Sequence, residues 1–298
     1  MMRRKLIKQG NDALTITLPA KWLKNRNLKA GDEIEVDEDE QKLLISGTGE
    51  AELKTKTISL ENTSKNHLRS LISSAYKAGY DEIVLKSKQT LKLSQLNEII
   101  NTFTGLEIVS QEKNKLTIKS FLKVDENAEP LIIKMFQISK LVTDNLDQDW
   151  GKVDFNNLEV LVSSNLRKLR DHCLRTIQIN KFAGDKSYDY YDLVTILEKI
   201  AAEFLNLARL ISVSKIPKTD LFTELKELLN QSYSVYLKKD YSEASKYWLT
   251  VGKIKERYSK EKDLNKLIKK ENASLIAHYY HLINLYRHLS SRLVSLSS

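Results

Sequence analysis

The chain has 298 residues, 41% of them hydrophobic, which is enough to fill the cores of two or three domains. Three prolines and nine glycines in a background of Leu, Ile, Lys and Glu favour long helices, and the single cysteine, Cys173, excludes an intramolecular disulfide, a zinc ribbon or a CxxC redox pair. The formal charge of +9 and pI near 9.2 suit a polyanionic partner.

No run approaches roughly 20 apolar residues. The basic start, Met1 to Lys8, is followed by Asn11, Asp12 and Lys21 before a signal-peptide core could form. A cytoplasmic protein with no membrane insertion is expected. The charge is unevenly distributed: residues 1 to 30 carry Arg3, Arg4, Lys5, Lys8, Lys21, Lys24, Arg26 and Lys29 against the one acid Asp12. The next ten carry Asp32, Glu33, Glu35, Asp37, Glu38, Asp39 and Glu40 and no base.

The first region, residues 1–48, reads as short strands. Lys5 to Gln9 precede a turn at Gly10-Asn11-Asp12, and Leu14, Ile16 and Leu18 then alternate with Thr15 and Thr17, the period of a half-buried strand. Pro19 stops that strand and allows a short helix over Ala20 to Arg26, with Trp22 and Leu23 turned inward. After Leu28 and the Gly31-Asp32 turn, Ile34 and Val36 lie on one strand and Leu43 and Ile45 on the next. Fewer than about fifty residues with about ten sizeable apolar side chains do not bury enough area to stand alone. With no disulfide or metal to staple the fold, interleaving with a second copy is the expected solution.

The order Arg4-Lys5, Gly10-Asn11, Leu14 to Leu18, Pro19, Trp22, Leu28-Lys29-Ala30-Gly31-Asp32 and Glu33 to Val36 resembles the AbrB, SpoVT and MazE swapped-hairpin family over residues 3 to 46. The resemblance implies two chains interdigitated into one barrel-like homodimer that presents basic residues to double-stranded DNA.

Residues 49–125 read as a small α+β unit. A strand over Lys54 to Leu60 precedes a helix from Ser64 whose face of Leu68, Leu71, Ile72 and Ala75 stops at Gly79. Ile83 to Leu85 form a strand, Ser94 caps a short helix to Ile100, and Leu106 to Ser110 return through Lys113-Asn114 to Leu116 and Ile118. Residues 126–298 turn to helical period. Stripes run from Leu131 to Leu146, Leu158 to Ile177, Val194 to Ile211, Leu221 to Tyr236, Ala244 to Tyr258 and Leu264 to Leu293, with breaks near Trp150-Gly151, Gly184-Asp185 and Ile216-Pro217. The expected fold class is α+β, mostly α, ending in two three-helix units split near residue 216.

A swapped-hairpin head, a small α+β insert and tandem three-helix bundles together resemble the archaeal phosphate-uptake-regulator (PhoU-like) proteins. The turn Ala78-Gly79-Tyr80-Asp81 and the strand Gly105 to Val109 carry the likeness outside the helices. The resemblance implies carboxylate metal clusters on the bundle, but Asn165, Arg167 and Ala202 stand where acids would align, leaving Glu198. No metal and no cofactor is therefore expected, and Glu198 and Glu203 are the positions to inspect.

Lys and Arg neutralise phosphates and release counterions, so Arg4, Lys5, Lys8, Lys21, Lys24 and Arg26 are the candidate DNA-binding residues. Base readout by Arg4 or Asn11 is an extension of that reading. The run Asp32 to Glu40 lacks calcium-loop spacing and reads as solvated strand and turn. His278 and His281 are three apart on the last helix, close enough to share a metal, with His288 on nearly the same side, but no acid or cysteine completes a ligand set and the three read as polar helix surface. Cys173 reads as a buried hydrophobe, and Tyr188, Tyr190 and Tyr191 as packing residues. With no Gly-rich phosphate loop, Ser-His-Asp order or HExxH, no enzymatic activity is expected. The functional expectation is a DNA-binding transcriptional regulator linked to phosphate uptake or homeostasis. The alternative is an adaptor that dimerises through its head and docks a transporter or sensor through its bundles.

Overall fold

A computed structural model describes residues 3–10, 13–39, 42–47, 53–61, 63–88, 93–122, 127–214, 216–260 and 273–298. Asn11 and the first part of the last stripe, with Leu264, lie outside the described residues. The fold is α+β and mostly α, and the chain divides into two compact units, Met1–Lys54 and Thr55–Ser298. Among the described residues no helix is long and apolar enough to cross a membrane.

The first unit consists of two hairpins flanking a short helix. Strand β1 (Ile7–Gln9) pairs antiparallel with β2 (Ala13–Thr15), Ile7 opposite Thr15, and Gly10 takes up the positive φ of +75° in the turn. The alternation over Leu14 to Leu18 predicts a longer β2. The observed strand stops at Thr15, where its pairing with the three-residue β1 ends, and among the described residues no strand pairs with Ile16 to Leu18. Pro19 is the N-cap of α1 (Ala20–Asn25). The Gly31-Asp32 turn is closed locally, the Asp32 carboxylate accepting from the Lys29 backbone N–H at 2.6 Å. Strands β3 (Ile34–Asp39) and β4 (Lys42–Gly47) form the second hairpin.

No described residue of this unit is buried. Leu6, Ile7, Leu14, Ile16, Val36 and Leu43 are 49–65% exposed.

The second unit begins with a four-stranded mixed sheet of order β5-β6-β8-β7. Strand β5 (Thr55–Leu60) runs parallel to β6 (Glu82–Ser87), and α2 (Lys65–Lys77) makes the crossover. Ser64 caps α2 by accepting from the His67 N–H, and Gly79 at φ +83° ends it. Helix α3 (Leu93–Ile100) already includes Ser94, so Ser94 is inside the helix rather than its cap. Strands β7 (Leu106–Glu112) and β8 (Lys115–Ser120) close the sheet as a hairpin with a register shift at Val109. Alternation puts Ile83, Leu85, Leu116 and Ile118 on one face, fully buried with Ile72 and Tyr76 of α2 and Ile99 of α3. Thr57, Ser59 and Lys86 point the other way and are exposed.

The helices follow: α4 (Glu129–Gln148), α5 (Phe155–Glu159), a π-helical stretch (Val160–Leu166) running directly into α6 (Arg167–Asn180), α7 (Ser187–Ser214), α8 (Asp220–Lys238), α9 (Tyr241–Ser259) and α10 (Ala273–Ser297). Side-chain caps fix three of the starts, at Asp154, Thr219 and Asp240. The predicted stripes are the buried ones: Met135, Val142 and Leu146 on α4, Cys173 and Ile177 on α6, and Leu197, Phe204 and Ile211 on α7. One apolar core runs through all of these helices, with α10 packed along α7, α8 and α9. The Trp150 indole N–H donates to the Ile216 carbonyl at 2.7 Å, joining the break after α4 to the break before α8.

Candidate nucleic-acid interface and the polar clusters of the bundle

The six candidate DNA-binding residues lie before and within β1 and on or at the end of α1. Arg4 and Lys5 precede β1, Lys8 lies within it opposite Leu14, Lys21 and Lys24 share one face of α1 at i,i+3 spacing, and Arg26 is the C-cap residue of that helix. Lys24, in the last turn, also complements the negative end of the helix dipole. All but the half-buried Arg26 are exposed, and among the described residues no carboxylate is paired with any of the six. An unpaired lysine or arginine on a short rigid element offers its full charge to an external phosphate. Along β3, Glu35 alternates with Ile34 and Val36.

In the bundle, both positions singled out for inspection already have protein partners, Glu198 two arginines and Glu203 two histidines. Glu198 of α7 faces α6, where Arg170 Nη1 lies 3.2 Å and Arg167 Nε 3.7 Å from its oxygens. Asn165 is exposed in the π-helical stretch. Next to them Asp171, fully buried, accepts from Arg170 at 2.6 Å, from Ser73 of α2 at 3.3 Å and from Arg69 of α2 at 3.4 Å. Burial opposes the Arg170 charge, but Asp171 and Glu198 together outweigh it and hold the guanidinium above its ordinary range. Four residues further along α6, Arg175 is 1% exposed. It donates to the Tyr76 and Tyr80 carbonyls at 2.8 Å and to Asp81 at 2.9 Å, and its guanidinium lies over the Tyr76 ring at 4.9 Å.

Glu203 corrects the reading of the histidines. An acid does meet them, from another helix: Glu203 Oε1 is 2.7 Å from His278 Nδ1 and 3.3 Å from His281 Nδ1. Its second oxygen accepts from Asn206 at 3.2 Å. The signal available in the sequence was only the presence of a glutamate on α7 and a histidine pair on α10, and the adjacency of those helices had to be seen. Among the described residues no group of three His, Cys, Asp or Glu side chains is placed to hold a metal. Cys173 is fully buried, and desolvation pushes its thiol far above the ordinary range. Of the three tyrosines at the start of α7, Tyr190 is buried against Phe182 while Tyr188 is 66% exposed.

No family model, curated protein or solved structure matches this chain.

Proposed function

We propose that the protein is a cytoplasmic, homodimeric DNA-binding transcriptional regulator of the PhoU-like type, whose paired swapped-hairpin heads hold double-stranded DNA. The observation that carries this reading is the first unit itself, with exposed apolar side chains on both hairpins, no buried described residue, and six bases without carboxylate partners. Exposed apolar area of this kind favours association with a second copy. Pairing doubles the bases, and four phosphate contacts per chain give a dimer a log–log salt slope of about −7. The link to phosphate uptake rests on the family resemblance, and fold does not fix function.

The test is a mobility-shift titration of the full chain against duplex DNA at rising salt. Micromolar or tighter binding at about 50 mM salt is expected, falling steeply with salt and lost when Lys21→Glu, Lys24→Glu and Arg26→Glu are combined. Absence of binding by the intact dimer under those conditions refutes the proposal and favours the adaptor. The exposed apolar cleft formed by Tyr241, Trp248, Leu249 and Val294 supports that second reading as a docking surface for a transporter or sensor.

A further inference from the structure

A cleft of about 370 Å³ opens where α2 meets α6 and α7, lined by Ser74, Lys77, Ala78, Gln178 and Tyr191. It is open to solvent, with Ser74, Ala78 and Gln178 exposed and Lys77 and Tyr191 half-buried. Four of those five side chains end in hydrogen-bonding groups, and among the described residues none of the four engages another protein side chain or carbonyl. They are a seryl hydroxyl, an ammonium, a carboxamide and a phenol, and each has at least one proton to donate.

The charge around the cleft is unbalanced in the same sense. Arg69, Lys77, Arg167 and Arg170 surround two acids, Asp171 and Glu198. Each acid is already held by two guanidiniums, Asp171 by Arg69 and Arg170, Glu198 by Arg167 and Arg170. Among the described residues no acid forms an ion pair with Lys77. Its half-buried ammonium is disfavoured by desolvation and by Arg170 and Arg69, with Asp171 and Glu198 offsetting only part. A polar cleft with a spare cation and several free donors is complementary to an oxyanion, which supplies two or three acceptors around one negative charge.

We propose that this cleft binds a small metabolite through a phosphate or carboxylate group, the ammonium of Lys77 pairing with the anion and Ser74, Gln178 and Tyr191 donating to its oxygens. The ligand would bridge α2 of the sheet-bearing segment to α6 and α7 of the bundle, beside the joint that Arg175 holds. This site is independent of whether the head binds DNA.

The test is isothermal titration of the full chain, without DNA, by inorganic phosphate, glucose 6-phosphate and citrate, each at an ionic strength held constant with NaCl. Saturable binding of at least one probe at millimolar concentration or below is expected, and which probe binds separates the phosphate from the carboxylate form. Loss of a charge-assisted hydrogen bond weakens binding roughly tenfold or more in Lys77→Met, and Tyr191→Phe weakens it several-fold. Lys115→Met, on the far strand β8, leaves it unchanged. Lack of saturable binding by all three probes up to about 10 mM, or binding that survives Lys77→Met, overturns the proposal. If Lys77→Met does not fold, Tyr191→Phe and Gln178→Ala decide it by the same criterion, since each removes a donor from the cleft without disturbing a buried ion pair.

Discussion

Replacement of Arg175 by alanine tests how the sheet-bearing segment is joined to the bundle. The wild-type guanidinium makes two bonds of 2.8 Å to backbone carbonyls at the end of α2 and one of 2.9 Å to Asp81, with its plane over Tyr76. Hydrogen bonds from a charged donor contribute about 1.5 to 3 kcal/mol each before the cost of burying the charge. That cost is evident here, because desolvation pulls the Arg175 pKa down despite Asp81. Truncation would leave two carbonyl oxygens facing the space of the lost side chain and remove the contact with Tyr76. The balance for Arg175→Ala is a loss of about 3 to 5 kcal/mol, or on the order of 10 °C in Tm for a unit of this size. Asp81→Asn keeps a hydrogen-bond acceptor but leaves the buried Arg175 charge without its counter-ion, so it costs less than Arg175→Ala but still about 1 to 3 kcal/mol. Urea denaturation of both variants, followed by far-UV circular dichroism, measures the difference. An Arg175→Ala protein within about 0.5 kcal/mol of wild type would refute the reasoning, since a surface arginine behaves that way and a joint does not.

Four further outcomes are expected. Leu14→Asp together with Val36→Asp places charges among the exposed apolar side chains of both hairpins, and light scattering on the full chain should report loss of the dimer if those side chains form its core. Gly105→Ala destabilises the fold by at least about 1 kcal/mol in thermal unfolding, because its φ is +70° and an added Cβ would lie 2.7 Å from Leu122 Cβ. The Asp147 carboxyl is held below its ordinary value of 3.8 by hydrogen bonds from Lys218 and Lys226, the former the larger effect. Its contribution is therefore present above pH about 4 and lost as pH falls through the lower folded value, so Asp147→Asn should cost stability at pH 7 and progressively less as pH falls below about 4. Finally, the Cys173 thiol should resist a thiol-reactive dye in the native protein and react fully in denaturant.

Much of the local structure was legible because it depends on residues close together in the chain. The stripes of α4, α6 and α7 follow from periodicity, Gly79 ends α2 where a positive φ is needed, and Ser64 caps the same helix through its own first turn. Errors fell where a partner decides the outcome. The alternation to Leu18 is real, but a strand extends only as far as another strand pairs with it, and among the described residues that limit is Thr15. Ser94 has the chemistry of a cap and lies inside α3 because that helix starts one residue earlier.

The sequence by itself determined that the first fifty residues carry bases on one stretch, acids on the next and too little apolar area for a single-chain core, and that a long helical region follows. These are matters of composition and short-range pattern. Only the tertiary structure decided that Glu203 meets His278 and His281, that Asp171 is shared by Arg69, Ser73 and Arg170, and that Lys77 lines a cleft with Tyr191. Each of these joins residues from separate helices. Periodicity says which face of a helix is apolar, but the neighbour and the rotation that bring two polar side chains within 3 Å are set by how the whole core packs.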